Sequence, residues 1–294
     1  MKTNGLKAWF LAARPKTLTG AAAPVIMGGS LAVHEFESVE LLPLVLCFLF
    51  AFVMQIDSNF VNDYFDFRKG TDREDRLGPE RACAQGWVTP DAMRMAIAIT
   101  TAVACAIGLP LVLWGGLWLV LIGVVCVLFC FLYTTHLSYR GLGDVLVLVF
   151  FGLVPVCMTF FVLTGQVTWP VALAGIACGL ATDCLLMVNN YRDRNEDTIS
   201  GKRTLVVRFG GKFGLRMYLC LGLIAFAMSS VVLFAVTGKW YSFLPLIIYA
   251  VLHVLVYSRM TAIDGRALNA TLGATARNIF LLGVLFALSL LFVD

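Results

Sequence analysis

Nine apolar runs, each bounded by glycine, proline or charge, fill most of this 294-residue chain. They lie near residues 17 to 33, 41 to 62, 92 to 113, 115 to 133, 143 to 163, 170 to 190, 214 to 236, 241 to 257 and 275 to 293. Crossing the hydrocarbon layer takes ~20 apolar residues in a helix. The expected fold is therefore an all-α integral membrane protein of about nine transmembrane helices, forming a single domain over residues 1–294. Composition agrees, since 60% hydrophobic and 14% charged side chains leave too little polar surface to coat a soluble globule. The first run, built on Thr19-Gly-Ala-Ala-Ala-Pro-Val, is the weakest and reads as a close-packing helix. The start, Met-Lys-Thr-Asn-Gly-Leu-Lys, shows no small-residue cleavage site behind a short apolar core, so no removable leader is expected.

A net charge of +4 divided among separate loops makes no basic face, which excludes a nucleic-acid binder; a secreted enzyme and a soluble dehydrogenase fall with the hydropathy. Nine cysteines without a Cys-x-x-Cys pair, beside three histidines, indicate neither a disulfide framework nor a zinc site. Lysine and arginine stay on the cytoplasmic side of a membrane. With the N-terminus inside, nine spans put 21 of the 22 basic residues on or beside inner segments, leaving Lys239 outside, while the outer 34–40 segment carries three glutamates. A wrong count of spans would scramble that alternation.

Two inner loops are long and doubly charged. One is Asn62-Asp-Tyr-Phe-Asp-Phe-Arg-Lys-Gly-Thr-Asp-Arg-Glu-Asp-Arg-Leu-Gly-Pro; the other is Asn189-Asn-Tyr-Arg-Asp-Arg-Asn-Glu-Asp-Thr-Ile-Ser-Gly-Lys-Arg-Thr. At an offset of 127 residues both begin Asn-(Asp/Asn)-Tyr-x-Asp, and they follow the second and sixth runs. That predicts two parallel repeats of four helices, with both acidic segments facing one central cytoplasmic cavity. On a helix turning ~100° per residue, Gln55, Asn59, Asn62, Asp63 and Asp66 share one stripe, as do Asp183, Asn190, Asp193 and Asp197. Asp57 falls on the opposite face of its helix, where an interhelical hydrogen bond is its expected role.

Carboxylates clustered at a membrane boundary are costly unless cations meet them. Aspartate and asparagine oxygens suit Mg²⁺, which keeps several waters and bridges carboxylates to phosphates. Arg68, Lys69, Arg73, Arg76, Lys202 and Arg203 nearby suit phosphate oxygens. Acids and bases together imply a metal and a diphosphate. A solvated topology-setting loop would explain one such segment, but not two that match with asparagine at the same offset.

These segments resemble the aspartate-rich motifs of the UbiA superfamily of intramembrane prenyltransferases, and within it the branch acting on 1,4-dihydroxy-2-naphthoate in menaquinone biosynthesis. Ala13-Arg-Pro-Lys-Thr-Leu-Thr, Tyr139-Arg-Gly-Leu-Gly-Asp and Gly201-Lys-Arg-Thr-Leu-Val-Val-Arg-Phe-Gly extend the likeness from the first run to the seventh. The family's NDxxDxxxD departs here, since Gly70 holds the last acidic position and the carboxylates move to Asp72 and Asp75; that Lys-Gly-x-Asp form resembles the naphthoate branch. The DxxxD motif is intact as Asp193 and Asp197.

The resemblance implies a Mg²⁺-dependent transfer of a polyprenyl group from its diphosphate to the naphthoate, with loss of CO₂ and diphosphate, at the cytoplasmic face of a bacterial inner membrane. It implies Asp66 and Asp193 as catalytic, and Asn62, Asp63, Asp66, Asp72, Asp193 and Asp197 as metal ligands. Arg68, Lys69, Arg76, Lys202 and Arg203 would bind diphosphate. Asn59, Tyr64, Tyr139, Asn190 and Tyr191 would contact substrate, with Tyr133 a further candidate for the aromatic face beside the allylic cation. The lipid bilayer would supply the donor sideways. Another aromatic acceptor such as 4-hydroxybenzoate, a lipid-linked phosphotransferase, and a secondary transporter using Asp57 and Asp183 stay open as alternatives.

Overall fold

The computed structural model describes residues 2–36, 39–70, 76–137 and 140–292, with no strand among them. A short helix, α1 (Leu6–Ala13), turns at Arg14, whose φ is 51°, directly into α2 (Pro15–Phe36). Then come α3 (Leu41–Arg68), α4 (Pro90–Gly115) and α5 (Trp118–Leu132), the last running into a π turn at Tyr133–Leu137. The following long pair is α6 (Gly143–Thr164), with a π turn of its own at Val149–Leu153, and α7 (Trp169–Arg192). Two one-turn pieces, α8 (Arg194–Ile199) and α9 (Leu205–Phe209), lead to α10 (Gly211–Thr237), α11 (Leu246–Ala262) and α12 (Leu268–Leu291).

Among the described residues, eight helices are long and apolar enough to cross a membrane, and α2 is not one of them. The reason is packing. Gly28 and Gly29 let α2 approach its neighbours closely: a β-carbon on Gly28 would lie 2.5 Å from the carbonyl oxygen of Val156 on α6. Ala23 of α2 meets Gly283 of α12 in the same way. A helix that touches protein along its length needs small residues more than greasy ones. The sequence reading of nine spans thus rests on α2, whose 22 residues are long enough while their composition is not.

The helices close on themselves. α2 packs on α3, α6 and α12, α7 on α6, α10 and α12, and α11 between α10 and α12. α7 is central, with 67% of its most apolar window buried against 6% for α5 at the rim. One core joins these elements through Met27, Phe160, Val232, Tyr249 and Phe286. A close antiparallel seam runs between α6 and α7: Gly175 faces Leu153, Gly179 faces Leu148, and Gly152 lies against both glycines. Helices also recur at the spacing of the two motifs, since 15–36 and 41–68 shifted by 127 residues fall on 142–163 and 168–195, close to α6 and α7.

Candidate active site

α3 carries the first polar stripe into a corner made by α1, the 76–89 segment and the π turn after α5. Asn59, 4% exposed, donates to the carbonyl of Ala13 (3.0 Å) and to the Thr17 hydroxyl (2.9 Å), fixing the α1–α2 elbow on α3. Asn62 accepts from the Thr134 hydroxyl. Asp63, 1% exposed, spends one lone pair on each oxygen on the backbone N–H groups of Ala82 and Cys83 (both 2.9 Å), with the Arg14 guanidinium at 3.9 Å. Lys69 reaches across to donate to the carbonyls of Thr134 (3.1 Å) and Thr135 (2.7 Å). Asp66 lies 3.5 Å from the Arg81 guanidinium, and the other charges acting on it are Lys202, Arg76, Lys69 and Arg14.

The second stripe ends in a different network. Arg192, 2% exposed, grips both carboxylate oxygens of Asp193 at 2.6 Å and donates to Asn269 of α12 at 2.9 Å. The Asn269 amide in turn donates to the carbonyl of Leu77 (2.9 Å), so the segment after the first motif is tied to the second motif through α12. A β-carbon on Gly78 would lie 2.7 Å from guanidinium nitrogens of both Arg76 and Arg192. Asp197 pairs with the Lys202 ammonium at 3.7 Å. Burial first, then the neighbouring Asp193 and Glu196, push its carboxyl up to about 6 against the pull of Lys202. Lys69 is lowered, by burial first and by Lys202, against the support of Asp66.

Lys202 therefore stands between the motifs, acting on Asp66 from one and Asp197 from the other. Arg203 and Arg68 are exposed at the rim. Gly141, with φ of 78°, presses against the Arg203 carbonyl where any side chain would clash, so the 140–142 turn packs on the second loop. Tyr191 lies under the Arg194 guanidinium, 4.6 Å from its ring centre. Tyr64 packs edge-on against Phe65 (5.2 Å) in the cluster shared by α1, α3 and α4. Asn190 is buried, while Asp72, Asp75, Arg73 and Tyr139 lie outside the described residues.

An apolar cavity of ≈ 420 Å³ opens beside this corner, walled by α2, α3, α4, α5 and α6. Gln55, Ser58 and Tyr133 line it on the motif side, and it runs past Val127 and Phe150 towards Cys47 and Leu119. Of the aromatic candidates, Tyr133 is on its wall. Among the described residues, no three acidic, histidine or cysteine groups stand close enough to hold an ion alone. The oxygen donors Asp66, Asp193 and Asp197 nonetheless fit Mg²⁺, which takes few protein ligands and fills its shell with water and phosphate oxygens. Sequence spacing did not reveal Arg192, Asn269 or Arg81; for Arg14 the one signal was its place in the Ala13-Arg-Pro-Lys string.

A helical membrane bundle with a greasy cavity beside one acidic motif, and a second acidic motif joined to the first through Lys202, describes an enzyme of the intramembrane prenyltransferase class. Residues 21–282 match the UbiA prenyltransferase family, and the chain belongs to it. It is 34% identical to a 1,4-dihydroxy-2-naphthoate octaprenyltransferase of Escherichia coli, covering 97% of this chain and 95% of that one. It is 32% identical to the protein of the same description in Haemophilus influenzae, covering 99% and 98%. The fold matches the apo structure of a UbiA homolog from Aeropyrum pernix with a TM-score of 0.71 at 14% identity, covering 93% and 97%. It also matches a UbiA homolog from Archaeoglobus fulgidus bound to GPP and Mg²⁺, with a TM-score of 0.65 at 15% identity, covering 97% and 99%.

Proposed function

We propose that this protein transfers a polyprenyl group from a polyprenyl diphosphate to 1,4-dihydroxy-2-naphthoate, releasing diphosphate and CO₂ to form demethylmenaquinone. The observation that carries the reading is the position of Lys202, whose charge acts on Asp66 and pairs with Asp197, in a chain alike along nearly its whole length to octaprenyltransferases of that acceptor. Mg²⁺, when bound at Asp66, Asp193 and Asp197, supplies charge that stabilises the leaving diphosphate. Lys69, Arg76 and Lys202 hold the diphosphate oxygens, with Arg68 and Arg203 at the rim. Asp63 and Asn59 act one step back, pinning the 82–83 backbone and the α1–α2 elbow that carries Arg14.

The donor tail occupies the apolar cavity, entering between rim helices from the bilayer. Its C1 then lies near Tyr133, whose ring face offers roughly 0.5 to 2 kcal/mol to an allylic cation. The electron-rich ring carbon bearing the carboxylate bonds to C1, and expulsion of CO₂ restores aromaticity. With one polyprenyl diphosphate and Mg²⁺, purified protein should prenylate the naphthoate with CO₂ release, and EDTA should stop both. Faster turnover of 4-hydroxybenzoate, or a product that keeps its carboxylate, assigns another acceptor.

α2 serves as the ninth span in this reading, and the 127-residue recurrence reflects two parallel halves. The N-terminus and both motifs then face the cytoplasm of a bacterial inner membrane, as the 21-to-1 partition of basic residues supports. Ser200, exposed beside the second motif, is the reporter. Ser200→Cys should react with an impermeant thiol reagent in inside-out vesicles and not in intact cells, with the unaltered protein as blank. The opposite pattern overturns the topology.

A further inference from the structure

Two buried aspartates of the membrane region contrast sharply. Asp57, fully buried, is satisfied by the hydroxyls of Thr100 and Thr101 on α4, the latter at 3.0 Å. Asp183, 3% exposed on α7, has a carboxylate oxygen without a hydrogen-bond partner, and so does Asp144 in the first turn of α6. The seam between those helices puts them face to face. Gly179 meets Leu148 and, further along the same seam, a β-carbon on Gly143 would lie 3.3 Å from the Leu186 side chain, so the two contacts bracket Asp183 on α7 and Asp144 on α6. Between those two contacts Asp183 and Asp144 come to the same level of the seam. Among the described residues, the charge acting on Asp183 is that of Asp144.

Two carboxylates facing each other in a low-dielectric seam cannot both ionise; one proton between them is the least costly state. Next to the pair is Tyr133. Its hydroxyl lies 3.9 Å from where a β-carbon on Gly143 would be, and its ring lines the cavity. The charges facing Tyr133 are Asp144 and Asp183 from the seam, then Asp66 from α3 and Asp197 from α8. Tyr133 thus stands between the cavity and the pair, within reach of the charges of both acidic motifs.

We propose that Asp144 and Asp183 share one proton and, through the Tyr133 hydroxyl, take and return the proton of the acceptor's phenolic hydroxyl during transfer. The role rests on the prenylation of a hydroxylated aromatic acid set out above. As the ring carbon bonds to C1 and the C1–oxygen pair leaves with diphosphate, positive charge spreads to the phenolic oxygen. Its proton passes to Tyr133 as the proton of Tyr133 passes to the ionised carboxylate of the pair. When the ring–carboxylate bond breaks, its electron pair restores the aromatic ring, CO₂ leaves, and both protons return. No net proton is gained or lost, and no metal ligand takes part in the relay.

The test has two arms. Infrared spectra of the purified protein, without substrates, should show a protonated carboxyl band near neutral pH that disappears in Asp144→Asn and equally in Asp183→Asn, because one proton belongs to both. Absence of that band in the unaltered protein overturns the proposal, as does separate loss of two bands; a cation recovered with the protein in place of the proton does the same. In single-turnover experiments each variant, and Tyr133→Phe, should slow the chemical step roughly 10²-fold, with donor binding unchanged and, in Tyr133→Phe, the band retained. Full rates in both aspartate variants sink the relay. If the unaltered protein does not prenylate the naphthoate, the functional reading fails, while the infrared arm still decides the shared proton.

Discussion

Two glycines inside transmembrane helices show how differently the two sides of this bundle are filled. Gly123 on α5 has open space where a β-carbon would be and lines the apolar cavity. Gly222 on α10 lies so close under the His253 ring of α11 that a β-carbon would fall among its ring atoms. His253 stacks on Tyr218 (4.7 Å) and on Tyr249 (6.0 Å), and one of its ring nitrogens lies 3.2 Å from the Leu219 carbonyl. Tyr218 in turn shares a hydrogen bond with Thr275 of α12 (2.9 Å). One side of the molecule is hollow and the other is plugged by aromatic rings. The hollow side is where the proposed function puts the polyprenyl tail; the plugged side packs against α7, which carries the second acidic motif.

The largest effects belong to the mouth of the hollow side. Asp66→Asn and Asp193→Asn each remove the charge of a proposed ligand without changing shape, and each should lower kcat by roughly 10²-fold or more with the folded protein retained in the membrane. Asp57→Asn, away from the site and held by two hydroxyls, should cost far less. Assays of kcat beside melting curves in detergent check this. An Asp57 variant as inactive as the Asp66 variant would break the division between site and support.

Gly222→Ala comes next, because the clash is with a ring already held on both faces. It should destabilise the protein by about 1–3 kcal/mol, read as a lower melting temperature, with KM for the donor unchanged in the fraction that remains folded. A neutral result would mean that the plugged side has room, and the contrast between the halves would fail.

Much of the fold was legible because hydropathy is a local, additive signal. The exception, α2, was the run that sequence marked as weakest, and its small residues answer to α6 and α12. The site was legible as two motifs but not as a division of labour. Asp63 and Asp66 share a stripe, yet Asp63 meets the backbone of 82–83 while Asp66 meets Arg81. Only tertiary contacts separate them. Arg192 was invisible as a partner of Asp193 because sequence neighbours on a helix point apart unless, as at this helix end, the fork folds back. Tyr191, placed with the substrate by its position in the motif, has one ring face under Arg194. The cavity had no local signature, since it arises from how five helices lean together.

Gly123→Leu is the counterpart of Gly222→Ala in the hollow side. The new side chain enters open space and replaces a poor helix former, so thermal stability should hold or rise by up to about 1 kcal/mol. The cavity loses length instead: kcat/KM for the longest donors should fall roughly tenfold, about 1.4 kcal/mol, while short donors are spared. A uniform loss across donor lengths would place the tail elsewhere.

The smallest effect tests the tie between the two sides. Asp264, in the turn between α11 and α12, holds the Arg194 guanidinium at 2.6 Å and 3.0 Å, and Arg194 covers Tyr191 of the second motif. The hydrogen bonds from Arg194 hold the Asp264 carboxyl below its ordinary value. A carboxylate whose value is lowered on folding contributes stability above its unfolded value, about 4, and loses that contribution as pH falls through the lower folded one. The carboxylate is largely exposed, 61% by side chain, so water screens the pair and the gain stays within about 0.5 kcal/mol. Asp264→Asn should therefore melt slightly earlier than the unaltered protein at pH 6, and the gap should close in strongly acid buffer. A gap that persists in acid would show that Asp264 supports the turn through its backbone bond to Gly265 (2.7 Å) and not through Arg194. Because the asparagine oxygen can still accept that backbone bond, a persistent gap is the outcome the geometry argues against.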